Sequence, residues 1–185
     1  MDGADEEAWI DRLYPPEPDS FFAPGWREWL HELFVVRGGI ELDEVERLAR
    51  SVTEERARQA CGLVARDAQA TLGETVEIST VTDEWGVRVS VDGQIVGGVP
   101  LMAIGQIELV VEVADGAQEE IMDDWRVWPE CPHHNAGLHP ELRDGEAIWN
   151  CRTGDHQVGL IGHLSEATRL SQQAAKRRNR KSRRR

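Results

Sequence analysis

The sequence has few cysteines and no long apolar run. Its 185 residues include three cysteines. An odd number of cysteines is unfavourable for a disulfide framework and, beside histidines, is more typical of a metal site. No stretch approaches the roughly 20 apolar residues that a bilayer-crossing helix needs. The opening residues MDGADEEAW are acidic, so we expect neither a secretory signal nor a transit peptide, a cytoplasmic location and no membrane partner.

The sequence also lacks the motifs that would identify a catalytic site. It contains no Walker loop, no nucleophile elbow G-x-S-x-G, no H-E-x-x-H helix and no deaminase pattern H-x-E…P-C-x-x-C. Catalytic carboxylates cannot be selected by pattern, because 34 acidic residues make chance pairs inevitable. We therefore predict no catalytic residue.

Charge is distributed very unevenly along the chain. The formal net charge is −13, but residues 169–185 contain nine basic side chains and no acidic one. The other 168 residues combine the remaining 12 basic side chains with all 34 acidic ones, which gives a formal charge of −22. Such a body repels nucleic acid, whereas a basic tail attracts phosphates without sequence preference. Composition predicts that the tail, residues 165–185, is disordered. Its candidate nucleic-acid contacts are Lys176, Arg177, Arg178, Arg180, Lys181, Arg183, Arg184 and Arg185.

Apolar periodicity divides residues 1–125, the acidic body, into helices and a small sheet. Spacings of three and four predict helices, and alternation of apolar with polar residues predicts strands. The predicted helices span residues 4–14, 24–36, 43–72 and 106–125, and the predicted strands span residues 75–82, 85–92 and 94–98. The start of the last helix also alternates as a strand would, but a period of 3.6 continues for about five turns and favours a helix. The fold class is therefore α+β, with helices packed on a small antiparallel sheet.

Residues 128–164 hold two of the three cysteines and five of the six histidines. Structural zinc sites take four nitrogen or sulfur ligands in a tetrahedron, often as two close pairs from separate turns. Cys131-x2-His134 is one such pair, and Cys151-x4-His156 is a second. We predict that these four residues bind a structural Zn²⁺.

The sequence between and after the two pairs predicts a β-hairpin. Residues 144–150 read as a turn followed by a strand that leads to Cys151, and residues 156–162 read as the returning strand. Trp125, Trp128 and Trp149 flank the cysteines and are predicted to form a small core over the metal. Residues 126–164 are therefore predicted to be a zinc-ribbon-like module that follows the body.

Several alternatives stay open at this point. His139 rivals His156 as the fourth ligand, because C-x2-H-x4-H also brings three ligands together near Cys151. The stretch could instead be a surface loop with incidental histidines and two buried thiols, or its two cysteines could form a redox pair. Cys61 stands alone in a helical pattern and is predicted to be a small buried apolar residue.

The segments W-P-E-C-P-H-H, G-L-H-P-E, D-G-E-A-I-W-N-C and V-G-L-I-G-H-L within residues 128–164 carry a resemblance. They resemble the C-terminal module of small actinobacterial proteins of no assigned activity. In outline they are also similar to zinc-ribbon domains, in which a strand of the form A-x-W-x-C leads into the second metal turn. The chain departs from a standard ribbon at Gly154, which stands where the second cysteine of that turn would fall. The resemblance implies a metal-binding module and no particular activity.

Taken together, these patterns favour a non-enzymatic binding or adaptor protein whose acidic body recognises a partner protein. The alternative is a nucleic-acid-associated regulator that makes weak contacts through its basic tail. An enzyme of unknown class is the last of the three interpretations.

Overall fold

The computed structural model describes residues 3–13, 25–96, 100–123 and 127–164. In chain order its elements are helices α1 (Gly3–Leu13), α2 (Trp26–Arg37) and α3 (Leu42–Leu72), strands β1 (Ile78–Asp83), β2 (Gly86–Val91) and β3 (Gln94–Ile95), helix α4 (Gln106–Asp123), and strands β4 (His139–Arg143), β5 (Glu146–Cys151) and β6 (His156–Leu160). The predicted α+β class is confirmed. The basic tail and its candidate nucleic-acid contacts lie outside the described residues, as does Trp125.

The four helices begin and end close to their predicted bounds. The 31 residues of α3 form one continuous helix, and α4 is helical from Gln106 rather than a strand. Helices α1, α2 and α3 share a hydrophobic cluster. α1 and α2 pack on the first half of α3, where Trp9, Leu30 and Val45 are buried in one core. None of the helices in the described part of the chain has the length and apolar character that crossing a bilayer demands.

The first sheet has the antiparallel order β1-β2-β3. β1 and β2 pair from Ile78 opposite Val91 to Asp83 opposite Gly86. The predicted alternation is visible in β2, where Val87, Val89 and Val91 are buried in the same core as residues of α3 and α4. Asp92 and Gly93 both have positive φ, at 48° and 81°, as the predicted Asp-Gly hairpin requires.

The second sheet, β4-β5-β6, contains a strand that the sequence analysis missed. Asp144 and Gly145 have φ of 52° and 78°, so they form a two-residue hairpin turn between β4 and β5, and do not merely precede β5. β4 was overlooked because it contains Pro140, which cannot donate to a strand ladder. β4 is an edge strand, and an edge strand tolerates proline.

One continuous core extends from the helices into the second sheet. The cluster that contains Val64 of α3 and Val113 of α4 also contains Trp128, Leu138 and Trp149. The rings of the two tryptophans meet edge to face, with centroids 5.4 Å apart. Residues before and after the predicted boundary at residue 125 therefore belong to one core. Within that core, the Cys/His stretch packs against α3 and α4.

Candidate metal centre

The first two candidate ligands lie in a tight loop, residues 129–138, which we call the first ligand loop. Its stem is closed by the Leu138 N–H, which donates to the Pro129 carbonyl over 2.8 Å. Nearer the tip, the Cys131 N–H donates to the Ala136 carbonyl (2.8 Å), and the Asn135 N–H donates to the Cys131 carbonyl (3.1 Å). Asn135 has a φ of 50°, a conformation that asparagine adopts more readily than most residues. These bonds fold the chain back so that Cys131 and His134 lie in one turn.

The other two candidate ligands face each other across a hairpin. Cys151 ends β5, His156 begins β6, and the two are direct partners in the strand register. Directly opposite residues in antiparallel strands have Cβ atoms about 4.5–5.5 Å apart on the same face. The four residues between them form a turn, and we call residues 151–156, the turn with its two candidate ligands, the second ligand loop. The four-residue spacing, which looks loose in the sequence, is therefore the spacing that places this cysteine and this histidine side by side.

The two ligand loops bring four donor atoms together. Cys131 Sγ lies 3.5 Å from His134 Nδ1 and 3.7 Å from His156 Nε2, and Cys151 Sγ lies 3.4 Å from His134 Nδ1. All four ligand atoms lie within 4.8 Å of one another. Both cysteines are buried, His156 is partly buried, and His134 is exposed. The group could hold a metal ion, with its thiols towards the core and one imidazole towards solvent.

The rival histidine, His139, is not part of this group. It begins β4 opposite Asn150, and Asn150 precedes Cys151 in β5. Because successive side chains of a strand point to opposite faces of the sheet, a residue opposite Asn150 lies on the face away from Cys151. His133 lies closer, with its ring centroid 5.9 Å from that of His156, but it is likewise outside the four-residue group.

Gly154 lies where an added side chain would meet both candidate histidine ligands. A Cβ atom at this position would meet Cε1 of His134, and it would lie 2.7 Å from His156 Nδ1 and 2.8 Å from His134 Nδ1. Both imidazoles therefore occupy the space that any side chain at position 154 would take. The two histidines could provide nitrogen ligands to a metal ion, and the glycine leaves room for them.

A buried carboxylate fastens the second sheet to α3. Asp67 Oδ2 accepts hydrogen bonds from Trp149 Nε1 (2.7 Å) and from the Gly162 N–H (2.6 Å), and Oδ1 accepts one from the Leu164 N–H (2.7 Å). Burial raises the pKa of Asp67, and these three hydrogen bonds oppose that increase because they favour the ionised form. Trp149 is two residues before Cys151, so Asp67 positions the strand that carries a candidate ligand.

Two further polar side chains fasten the first ligand loop. Gln118 Nε2 of α4 donates to the carbonyls of Trp128 and Leu138, over 2.7 and 2.6 Å, and so holds both ends of the loop. Thr71 Oγ1 of α3 accepts a hydrogen bond from Trp128 Nε1 over 2.8 Å. None of these supports is predicted by the sequence patterns. A signal was available for Asp67, since it is an acid on the apolar stripe of a helix, beside Val64 and Ala68.

The thiol of Cys61 lies outside the candidate metal centre, and that of Cys131 lies within it. Cys61 is buried in the core shared by α3 and both sheets, as predicted, and burial raises the pKa of its thiol to about 11. Burial also raises the pKa of Cys131, although the backbone N–H groups of His133 and His134 oppose that shift. A metal ion that binds a thiol displaces its proton, so metal binding at this site would release protons.

Compared with protein-family models, with curated proteins and with solved structures, the chain gives no match.

Proposed function

We propose that Cys131, His134, Cys151 and His156 bind one structural Zn²⁺ ion. The observation that carries this proposal is the set of sulfur–nitrogen distances, 3.5, 3.7 and 3.4 Å. With Zn–S bonds of about 2.3 Å and Zn–N bonds of about 2.0–2.1 Å, a tetrahedron separates sulfur from nitrogen by about 3.5–3.6 Å. Adjacent ligands of a square-planar ion would lie only about 3.1 Å apart with the same bond lengths.

The kinds of donor atom support the same ion. Two thiolates and two imidazoles in a tetrahedral arrangement suit zinc, whereas calcium and magnesium require oxygen ligands. Four protein ligands leave no position for a reactive water, so the role of the ion would be structural. Two ligand turns with a hairpin that carries the second turn also agree with a zinc-ribbon-like module, in which histidines replace two of the usual cysteines.

The metal centre would serve a non-enzymatic binding or adaptor protein of the cytoplasm. The unevenly charged chain supports this interpretation, because a formal charge of −22 on residues 1–168 favours a partner protein with a basic surface over direct contact with nucleic acid. The zinc-ribbon-like module would keep the second sheet folded against α3 and α4.

Metal analysis of the purified full-length chain tests the proposal directly. We expect about one zinc per chain after gentle purification, because a structural site is nearly full under such conditions. Removing the ion with a strong chelator is expected to lower the thermal midpoint of unfolding, and adding zinc back should restore it. A content below about 0.2 zinc per chain would rule out a structural zinc site.

A matched pair of histidine substitutions tests which residue is the fourth ligand. His156→Ala is expected to lower zinc affinity at least about 100-fold, because it removes one of four first-sphere donors. His139→Ala removes an imidazole from the other face of the same sheet and is expected to leave affinity within about threefold of the parent. Competition with a chromophoric zinc chelator measures both. The reverse result, with the larger loss for His139→Ala, would assign the fourth ligand to His139.

The space at position 154 gives a second test. Gly154→Ala is expected to lower zinc affinity at least about tenfold, because the added methyl group displaces the imidazoles that hold the ion. The control is Gly62→Ala in α3, where an added Cβ meets nothing within 4 Å. The same chelator competition measures both variants. Unchanged affinity in Gly154→Ala would show that the two imidazoles do not occupy this space when the ion is bound.

A further inference from the structure

The two cysteines of the candidate metal centre lie close together and contact the same imidazole. Cys131 Sγ and Cys151 Sγ belong to a group of ligand atoms that all lie within 4.8 Å of one another. His134 Nδ1 lies 3.5 Å from the first sulfur atom and 3.4 Å from the second. The third cysteine of the chain, Cys61, is outside the group. The sequence therefore provides one pair of thiols that rotation of the side chains can bring to disulfide-bonding distance.

The candidate metal centre meets solvent through an imidazole and not through a thiol. Both Cys131 and Cys151 are 0% exposed, whereas His134 is exposed. Position 154, which adjoins that imidazole, is an exposed glycine and adds no covering side chain. Movement of His134 away from the sulfur atoms therefore opens both thiols to solvent together. Because the thiols have no exposed surface of their own, this route favours a small oxidant.

Contacts outside the ligand set also hold the two thiols in place. Gln118 Nε2 donates to the carbonyls at both ends of the first ligand loop, over 2.7 and 2.6 Å. Asp67 Oδ2 accepts a hydrogen bond over 2.7 Å from Trp149 Nε1, two residues before Cys151 in β5. Neither Gln118 nor Asp67 is a candidate metal ligand. We therefore expect the first ligand loop and β5 to keep the sulfur atoms near each other after an ion has left.

We propose that the metal centre is also a redox switch, in which hydrogen peroxide oxidises Cys131 and Cys151 to a disulfide and Zn²⁺ is released. The inference rests on the proposed function, because it starts from the zinc-bound site. Its regulatory consequence is that oxidation replaces the metal crosslink between the first ligand loop and β5 with a covalent one.

The oxidation takes place in two steps. One thiolate attacks a peroxide oxygen, so that an S–O bond forms, the O–O bond breaks and hydroxide leaves; the product is a sulfenic acid. The second thiolate attacks the sulfur of that sulfenic acid, an S–S bond forms, the S–O bond breaks and a second hydroxide leaves. The two sulfur atoms together lose two electrons, and the peroxide gains them. Two imidazoles then remain as ligands, and they hold Zn²⁺ too weakly to retain it.

Treatment of the zinc-loaded, full-length chain with hydrogen peroxide tests the switch. A chromophoric zinc chelator measures release against an untreated sample, and peptide mass spectrometry identifies the oxidised cysteines. We expect one zinc to be released for each disulfide between Cys131 and Cys151, within the time that oxidises free cysteine completely. A thiol reductant with added zinc is expected to restore about one zinc per chain, because a disulfide is reversible and the higher sulfur oxides are not.

Cys61→Ala provides the matched control, since it removes the one thiol outside the group. It is expected to release zinc and to form the same disulfide at a rate within about twofold of the parent. Zinc content before treatment separates the two proposals. A chain without zinc would refute the proposed function and this inference with it. A chain that holds about one zinc and retains it under peroxide would overturn only the switch. Release with Cys61 in the disulfide, or with sulfinic or sulfonic acids instead of a disulfide, would also overturn only the switch.

Discussion

Cys151→Ser is expected to abolish stoichiometric zinc binding and to lower the free energy of unfolding by roughly 5 kcal/mol. Serine keeps the shape of the side chain but is a poor zinc ligand, and the three remaining donors then hold the ion weakly. Because the binding free energy of a structural ion contributes to folding, its loss appears directly as lost stability. The expected fall in the thermal midpoint is about 10–20 °C, measured by calorimetry together with metal analysis of the same sample.

The control for this prediction is Cys61→Ala. Cys61 is also a buried free thiol, but it lies outside the four-residue group. Its replacement is expected to leave about one zinc per chain, with a loss of stability of only about 1 kcal/mol for the lost sulfur contacts. If Cys151→Ser still contained about one zinc per chain, or if Cys61→Ala lost its zinc, the proposed ligand set would be wrong.

Asp67→Asn is expected to lower the free energy of unfolding by roughly 3–5 kcal/mol without removing a metal ligand. The carboxylate receives N–H donors on both oxygens, and an amide of the same shape replaces one oxygen with an NH₂ group. That group would face a donor in a buried site, so at least one hydrogen bond is lost and a repulsive contact replaces it. Urea unfolding monitored by tryptophan fluorescence measures the change, because Trp149 is one of the three donors.

The exposed residue Asp115 of α4 provides a matched carboxylate-to-amide control. Asp115→Asn is expected to change stability by less than about 0.5 kcal/mol. Zinc content separates this prediction from the previous one, since Asp67→Asn should still bind about one zinc per chain under native conditions. A stability within about 0.5 kcal/mol of the parent would show that Asp67 does not fasten the second sheet.

Local sequence patterns predicted those parts of the fold that local forces determine. The helical period of α3 and α4 and the Asp92-Gly93 hairpin depend on neighbouring residues, so composition and spacing were sufficient. β4 was missed because its proline contradicts the usual composition of a strand, and only its edge position in the sheet makes Pro140 acceptable. The second Asp-Gly pair, at residues 144 and 145, is typical of a hairpin turn and would have predicted a strand before it, which is β4.

Local sequence patterns likewise predicted only part of the candidate metal centre. Residue types and spacing grouped Cys131, His134 and Cys151, but they did not choose between His139 and His156. That choice depends on strand register, which places His156 opposite Cys151 and His139 opposite Asn150. The strand register depends on how β5 pairs with β4 and β6 and on the core beneath Trp149. Neither can be predicted from the spacing of cysteines and histidines in the sequence.

The hydrogen bonds of Asp67 also constrain the order in which the chain can fold during synthesis. Its partners Gly162 and Leu164 follow it by 95 and 97 residues. At translation rates of about 5–20 residues per second, α3 is complete for roughly 5–20 s before these donors have been made. Throughout that interval, the buried face of the helix carries an ionisable group without its native partners. We therefore expect the final packing of the core to be a late event, completed only after residue 164 has left the ribosome.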